Sequence, residues 1–123
     1  MKKISILVVD DFASNRILIV DLLDDFPEIK CFEAKNGQEA LDVLKENKID
    51  LVLLDIEMPV MNGFETAWYI RSEMLLSSDI TKVYALTAHP LEYVRENPHF
   101  DYFDGVISKP YTIDKLNDII NKF

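Results

Sequence analysis

The residues Ile4-Ser5-Ile6-Leu7-Val8-Val9-Asp10-Asp11 decide the fold, because a continuous, largely β-branched run ends abruptly in two acids. A continuous apolar run is typical of a strand buried on both faces, as in a parallel sheet. The run that follows Met1-Lys2-Lys3 is also too short for a membrane span or for a signal-peptide core with its cleavage site. The sequence therefore predicts a buried strand that delivers two aspartates to one edge of a sheet.

Runs of the same kind recur along the chain and alternate with helical patterns. We expect further strands at 29–34, 51–54, 83–86 and 106–108. Apolar residues at three- and four-residue spacing predict helices within 19–26, 40–44 and 113–123. Strand and helix then alternate with short connections, and right-handed crossovers place helices on both faces. The predicted fold is α/β: a doubly wound, five-stranded parallel sheet in one domain over residues 1–123.

Capping residues support the helix boundaries. We expect Ser14 to open the first helix, Asn36 the second and Thr112 the last. Pro90 suits the start of a short fourth helix, and Pro98 should end it.

Composition excludes several classes of function. The 22 acidic against 13 basic residues give a formal charge of -9, which repels a phosphate backbone and argues against nucleic-acid binding. Cys31 is the only cysteine, so neither an internal disulfide nor a thiolate zinc site can form, and we expect it to act as a small buried hydrophobe. We expect a cytoplasmic protein that does not associate with membranes.

Polar residues stand where the predicted strands end. Asp10 and Asp11 follow the first strand, Asp55 the third, Thr87 the fourth and Lys109 the fifth. A lone Asp or Thr at such a position is usually a turn or packing residue, but ligands of open parallel sheets bind at the carboxyl ends of the strands. Crowded carboxylates repel one another unless a cation joins them, and oxygen ligands favour Mg²⁺.

An ionised carboxylate beside such an ion can attack phosphorus and form an acyl phosphate. The phosphoryl oxygens then need a cation and a hydrogen-bond donor on the sides that the metal leaves open, and Lys109 and Thr87 supply these two groups.

The chain resembles the receiver domains of two-component response regulators over essentially its whole length. The motifs that carry the resemblance are Val8-Val9-Asp10-Asp11, Asn36-Gly37-Gln38-Glu39-Ala40-Leu41, Leu54-Asp55 with Met58-Pro59 and Gly63, Ala85-Leu86-Thr87-Ala88, and Ser108-Lys109-Pro110. The resemblance implies a flavodoxin-like fold with strand order 2-1-3-4-5.

The same resemblance implies a role for each acidic residue. Asp55 would be the phosphoacceptor, Asp11 and Asp55 would bind Mg²⁺ directly, and Asp10 would act mainly through water. The backbone carbonyl of Glu57 would complete the protein ligands.

The resemblance also implies roles for the switch residues. Thr87, beside Ala88, would hydrogen-bond the phosphoryl group, and Lys109 would pair with it. The Lys109-Pro110 bond would be cis and would aim the lysine into the site.

One position departs from the family pattern. Many receivers carry Tyr or Phe three residues before the lysine, where this chain has Val106. Either the domain signals without that aromatic residue, or Phe103, Tyr102 or Tyr111 serves instead.

Two further residues suit a tuning role. Glu57 lies two positions after Asp55 and His89 two positions after Thr87, so both can flank the path of an attacking water. The alternative is that they form a solvent-exposed rim.

The resemblance implies a signalling switch rather than an enzyme. Its phosphodonor would be a histidine kinase or a histidine phosphotransfer domain, its target an unidentified protein, and its dimer surface the fourth helix, fifth strand and fifth helix. The chain suits a free-standing regulator as well as a receiver within a hybrid kinase. Two alternatives stay open: a Mg²⁺-dependent phosphohydrolase, and a pseudo-receiver that only binds partners.

Overall fold

A computed structural model of the protein describes residues 3–58 and 61–123. Met1, Lys2 and Pro59 of the Met58-Pro59 motif lie outside the described residues. The strands are β1 (Ile4–Val9), β2 (Ile29–Ala34), β3 (Leu51–Asp55), β4 (Lys82–Thr87) and β5 (Gly105–Ser108). The α-helices are α1 (Ala13–Leu23), α2 (Gly37–Glu46), α3 (Gly63–Trp68), α4 (Leu91–Arg95) and α5 (Ile113–Ile120). A π-helical turn, Tyr69–Glu73, extends α3, and a 3₁₀ helix, Phe100–Tyr102, precedes β5.

The five strands form one parallel sheet in the order β2-β1-β3-β4-β5, which confirms the predicted architecture. Successive side chains of β1 point to opposite faces, as the period of a strand requires. Leu7 and Val9 pack on the side of α2, α3 and α4, while Ile6 and Val8 pack on the side of α1 and α5. Two cores therefore enclose the sheet. Among the described residues, no helix is both long enough and apolar enough to cross a membrane.

Two of the predicted caps are present and one is wrong. Asn36 Oδ1 accepts from Glu39 N–H, and Thr112 Oγ1 accepts from Lys115 N–H. Ser14 does not cap α1, because the N-cap lies two residues earlier, at Phe12, and its side chain forms no capping hydrogen bond. The turn is set instead by Asp10, whose Oδ1 accepts from Phe12 N–H at 2.9 Å.

The fourth helix is shorter than Pro98 alone would make it. Pro90 occupies the N-cap, and the helix ends at Arg95. Asn97 then forms a turn in which its Oδ1 accepts from His99 N–H at 2.8 Å. Val94 is the only buried residue of α4, so little apolar area holds this helix to the sheet.

Gly63 allows the start of α3 to lie directly against the end of β3. Its N–H donates to the carbonyl of Ile56 at 3.2 Å. A Cβ at Gly63 would lie 2.5 Å from the carbonyl oxygen of Asp55 and 2.6 Å from Cα of Ile56. Because both are backbone atoms, they cannot move aside without shifting β3 itself.

We predict that Gly63→Ala lowers the free energy of unfolding by about 1–3 kcal/mol, the usual range for overpacking. Urea denaturation of the purified domain measures this change. Gly105→Ala is the matched control, because its Cβ would meet the ring of Tyr84, a side chain that can shift, at 2.6 Å. Equal losses in the two variants would contradict this account of Gly63.

Candidate functional site

Three carboxylates meet at the carboxyl edge of the sheet. Asp10 and Asp11 directly follow β1, and Asp55 is the last residue of β3. One oxygen from each carboxylate lies within 4.8 Å of the others. The parallel register, which pairs Val9 with Leu54, brings the ends of these two strands side by side.

Hydrogen bonds from the protein reach only some of the carboxylate oxygens in this cluster. Oδ1 of Asp55 accepts from Glu57 N–H at 3.0 Å, as Oδ1 of Asp10 does from Phe12. Oδ2 of Asp10 and Oδ1 of Asp11 are buried and have no hydrogen-bond partner within the described residues. Buried carboxylate oxygens without a partner are costly, so the cluster favours a bound cation.

Burial changes the pKa of two members of this cluster, Asp55 and Asp10. Burial is the main cause that raises the pKa of Asp55 to about 7, and the charges of Asp10 and Asp11 add to it. The Glu57 N–H and Lys109 oppose this shift. Burial also raises the pKa of Asp10. A divalent ion would favour the ionised forms, and its preferred ligands are oxygens such as these. The residues present therefore fit Mg²⁺.

Asp55 opens into a cleft of about 210 Å³. Its lining contains every predicted site residue beyond the acidic pair except Val106 and Pro110. The lining residues are Phe12, Asn15, Asp55, Glu57, Thr87, Ala88, His89 and Lys109.

Thr87 and Lys109 are held together by the sheet. Lys109 N–H donates to the carbonyl of Thr87 at 2.9 Å, which continues the pairing of β4 with β5. Thr87 is buried, and its Oγ1 accepts from His89 N–H at 2.8 Å. The Lys109-Pro110 peptide is cis. A hydroxyl and an ammonium group therefore share the cleft with Asp55.

Glu57 and His89 are in direct contact. Nε2 of His89 hydrogen-bonds Oε1 of Glu57, so the loops that follow β3 and β4 are joined. The ring of His89 also stacks on Tyr93, with centroids 4.1 Å apart and an interplanar angle of 25°. Sequence reasoning missed Tyr93, although its position four residues after His89, across a helix start, is a usable signal.

Val106, which stands where many receivers carry Tyr or Phe, lies away from the cleft. Val106 lines a separate groove with Tyr84, Ile107 and Lys115. The proposed replacements differ in exposure. Phe103 is buried edge-on against Phe64, Tyr111 is buried near Lys109, and Tyr102 is partly buried beside His99.

Comparison with known proteins identifies the class. The family model "Response regulator receiver domain" matches residues 6–121. The chain belongs to this family.

Individual relatives agree with the family assignment. The response regulator protein TrrA from Thermotoga maritima, solved in complex with Mg(2+)-BeF, is 34% identical with a TM-score of 0.83, covering 99% of this chain and 98% of that one. The receiver domain of the Saccharomyces cerevisiae response regulator Ssk1, crystallised with the histidine phosphotransfer signaling protein Ypd1, is 26% identical with a TM-score of 0.83, covering 98% of this chain and 88% of that one.

Longer proteins contain similar sequences. A protein-glutamate methylesterase/protein-glutamine glutaminase of Clostridium acetobutylicum is 36% identical over an alignment 125 residues long, which covers 99% of this chain. The chain spans only 36% of the length of that relative, and 12–13% of the length of the sensor kinases that it also matches.

The raised pKa of Asp55 predicts a pH-dependent stability in the metal-free protein. The folded pKa, about 7, lies above the ordinary value of 3.8, so the folded state binds the proton more tightly. Protonated Asp55 therefore contributes to the free energy of unfolding. That contribution is complete below about pH 4 and is lost as the pH rises through about 7. We expect Asp55→Asn to exceed the natural sequence in unfolding free energy by on the order of 1–3 kcal/mol at pH 8, and by much less at pH 4.

Urea denaturation in a chelator at several pH values measures this difference, with Asp42→Asn as the control. Asp42 is exposed on α2 and accepts a hydrogen bond from Gln38. A difference between Asp55→Asn and the natural sequence that does not change with pH would contradict the predicted titration.

Proposed function

We propose that Asp55 accepts a phosphoryl group from the phosphohistidine of a histidine kinase or a histidine phosphotransfer domain. One observation carries this proposal: Asp55 shares a cluster with Asp10 and Asp11 and a cleft with Thr87 and Lys109. This arrangement provides a nucleophile, a cation site and two groups for phosphoryl oxygens in one place.

In the proposed reaction, a carboxylate oxygen of Asp55 attacks phosphorus. A new oxygen–phosphorus bond forms while the nitrogen–phosphorus bond of the phosphohistidine breaks. The imidazole leaves with the bonding electron pair and takes up a proton from solvent. Because Glu57 N–H holds one oxygen of Asp55, the carboxylate is oriented before the donor arrives.

Mg²⁺ would be held directly by Asp11, Asp55 and the backbone carbonyl of Glu57, and mainly through water by Asp10. When bound, it keeps these carboxylates ionised and neutralises charge on the transferring phosphoryl group. The partnerless oxygens of Asp10 and Asp11 support this assignment.

The remaining cleft residues would bind the phosphoryl group once it is attached. The hydroxyl of Thr87 donates to one phosphoryl oxygen, and the ammonium of Lys109 pairs with another. Ala88 presents no side chain beyond Cβ, so access past it stays open. Pro110 fixes the chain direction after Lys109. Glu57 and His89, joined at the mouth of the cleft, would limit the access of water and so set the lifetime of the phosphoryl group.

The signalling output would be a change in affinity for a protein partner, brought about by a shift between two conformations. The proposed setting is the cytoplasm, either as a free-standing regulator or within a hybrid kinase. A homodimer through α4, β5 and α5 is one arrangement for the output, and the charge of -9 argues against DNA as the direct target.

We predict that a small-molecule phosphodonor adds one phosphoryl group to the domain only when Mg²⁺ is present. Intact mass measured over time, with and without a chelator, detects the adduct, which should be stable in acid and labile in base. Asp55→Asn should form none, whereas the exposed control Asp42→Asn should react as the natural sequence does. An adduct of equal yield in Asp55→Asn would contradict the role of Asp55.

We further predict that Lys109→Gln slows formation of this adduct by about 10²-fold or more, because one charged group that binds the transition state is lost. Lys45→Gln, on the exposed surface of α2, is the control and should retain the natural rate. The initial rate at saturating Mg²⁺ measures the effect. A rate unchanged in Lys109→Gln would remove this residue from the mechanism.

A further inference from the structure

Tyr93 is an aromatic residue at the surface. A single side chain, His89, connects it to the cleft beside Asp55, which is called the phosphoryl cleft below. Tyr93 lies on α4 and is 50% exposed. Its ring stacks on His89, which lines the cleft beside Asp55. Stacked aromatic rings of this kind attract one another, so a displaced His89 ring would be expected to disturb Tyr93.

Two separate hydrogen bonds connect His89 to the site. Its backbone N–H donates to Oγ1 of Thr87, and its ring forms a hydrogen bond with the carboxylate of Glu57. Both partners border Asp55: Glu57 donates its own N–H to that carboxylate, and Thr87 lines the same cleft. A rearrangement around Asp55 therefore reaches His89 from the backbone side and from the ring side.

The helix that carries Tyr93 is only lightly held. It has five residues, of which Val94 alone is buried, and Pro90 precedes it. Few buried contacts oppose a small displacement of such an element. Little buried contact would therefore oppose a displacement of α4 that begins at His89.

Tyr93 also faces a groove that a partner can reach. The groove, of about 440 Å³, is lined by Ile56, Glu57, Met58, Asn62, Phe64, Tyr93 and Asn97. Glu57 lines both this groove and the phosphoryl cleft, so the contact between His89 and Glu57 lies where the two depressions meet. By contrast, Phe103 and Tyr111 are 8% and 7% exposed and offer a partner almost no surface.

We propose that Tyr93, acting through His89, is the aromatic residue that reports phosphorylation at the surface of this domain. The inference rests on the proposed phosphorylation of Asp55. When the hydroxyl of Thr87 turns toward the phosphoryl group, its bond from His89 N–H lengthens and the turn before α4 relaxes. The His89 ring then shifts against Glu57, and Tyr93 changes its position at the edge of the groove. Tyr93 thus carries the change to the edge of the groove, at a place in the fold different from that of Val106.

Fluorine NMR of the domain labelled with 3-fluorotyrosine tests this inference. The chain has five tyrosines, and Tyr93→Phe identifies the Tyr93 resonance by its loss. Beryllofluoride with Mg²⁺ serves as the phosphoryl mimic, and its own bound fluorine signal shows that the site is occupied. We expect the Tyr93 resonance to shift beyond its linewidth on saturation, while that of Tyr102 stays in place.

Two variants separate a relay from a general change in structure. His89→Ala keeps the backbone N–H but removes the ring. With the site of this variant saturated, as the bound fluorine signal of the mimic shows, most of the Tyr93 shift should be lost. His99→Ala is the matched control, because it removes the other histidine ring, which lies 5.5 Å from that of Tyr102, and it should leave the Tyr93 shift intact.

The outcomes are distinguishable. Bound mimic with an unmoved Tyr93, or a full Tyr93 shift in His89→Ala, would overturn the relay and leave the phosphoacceptor proposal standing. Absence of bound mimic at saturating Mg²⁺ would overturn the phosphoacceptor proposal, and the relay with it.

Discussion

The structure depends on the repulsion among three carboxylates that the sheet forces together. Asp10, Asp11 and Asp55 each place one carboxylate oxygen within 4.8 Å of the others, at an edge where burial removes much of the water that would screen them. Such a cluster is unfavourable alone and favourable with a divalent cation, so its stability is linked to ion binding. In the proposed mechanism the same charge balance would make Asp55 reactive, because a carboxylate that stays ionised beside a cation can attack phosphorus.

The fold supports this cluster by aligning strand ends rather than by dedicated loops. Parallel strands place the ends of β1, β3, β4 and β5 at one edge, and the backbone bond from Lys109 to Thr87 continues that alignment beyond the sheet. Gly63 lets α3 begin directly behind Asp55. The proposed nucleophile thus lies on a rigid base, while Tyr93 lies on a short helix with little buried area and His89 lies in the turn before that helix. Rigid chemistry beside a lightly held output element is the arrangement that a switch requires.

The sequence predicted the features that depend on local pattern. Buried runs that end in polar residues identified the sheet and its functional edge, and Asn36 and Thr112 showed their capping roles. Ser14 failed as a cap because a tertiary feature, the turn closed by Asp10, set the start of α1. Arg71 was not predicted at all: it donates to Tyr102, Leu76 and Thr81 carbonyls and pairs with Asp104, partners that are up to 33 positions away. Contacts between residues so far apart leave no periodic pattern in the sequence. The stack of Tyr93 on His89 likewise depends on where α4 begins, which the sequence alone did not establish.

The role of Asp55 is tested most directly by locating the phosphoryl group in the unaltered protein. A phosphohistidine donor would be mixed with the domain and Mg²⁺, and borohydride would then reduce any acyl phosphate to homoserine, a permanent mark that peptide mass spectrometry can place. Homoserine is expected at position 55, dependent on the donor and on Mg²⁺, with positions 10 and 11 unchanged. Homoserine at position 10 or 11, or at none of the three with a competent donor, would contradict the claim that Asp55 is the phosphoacceptor.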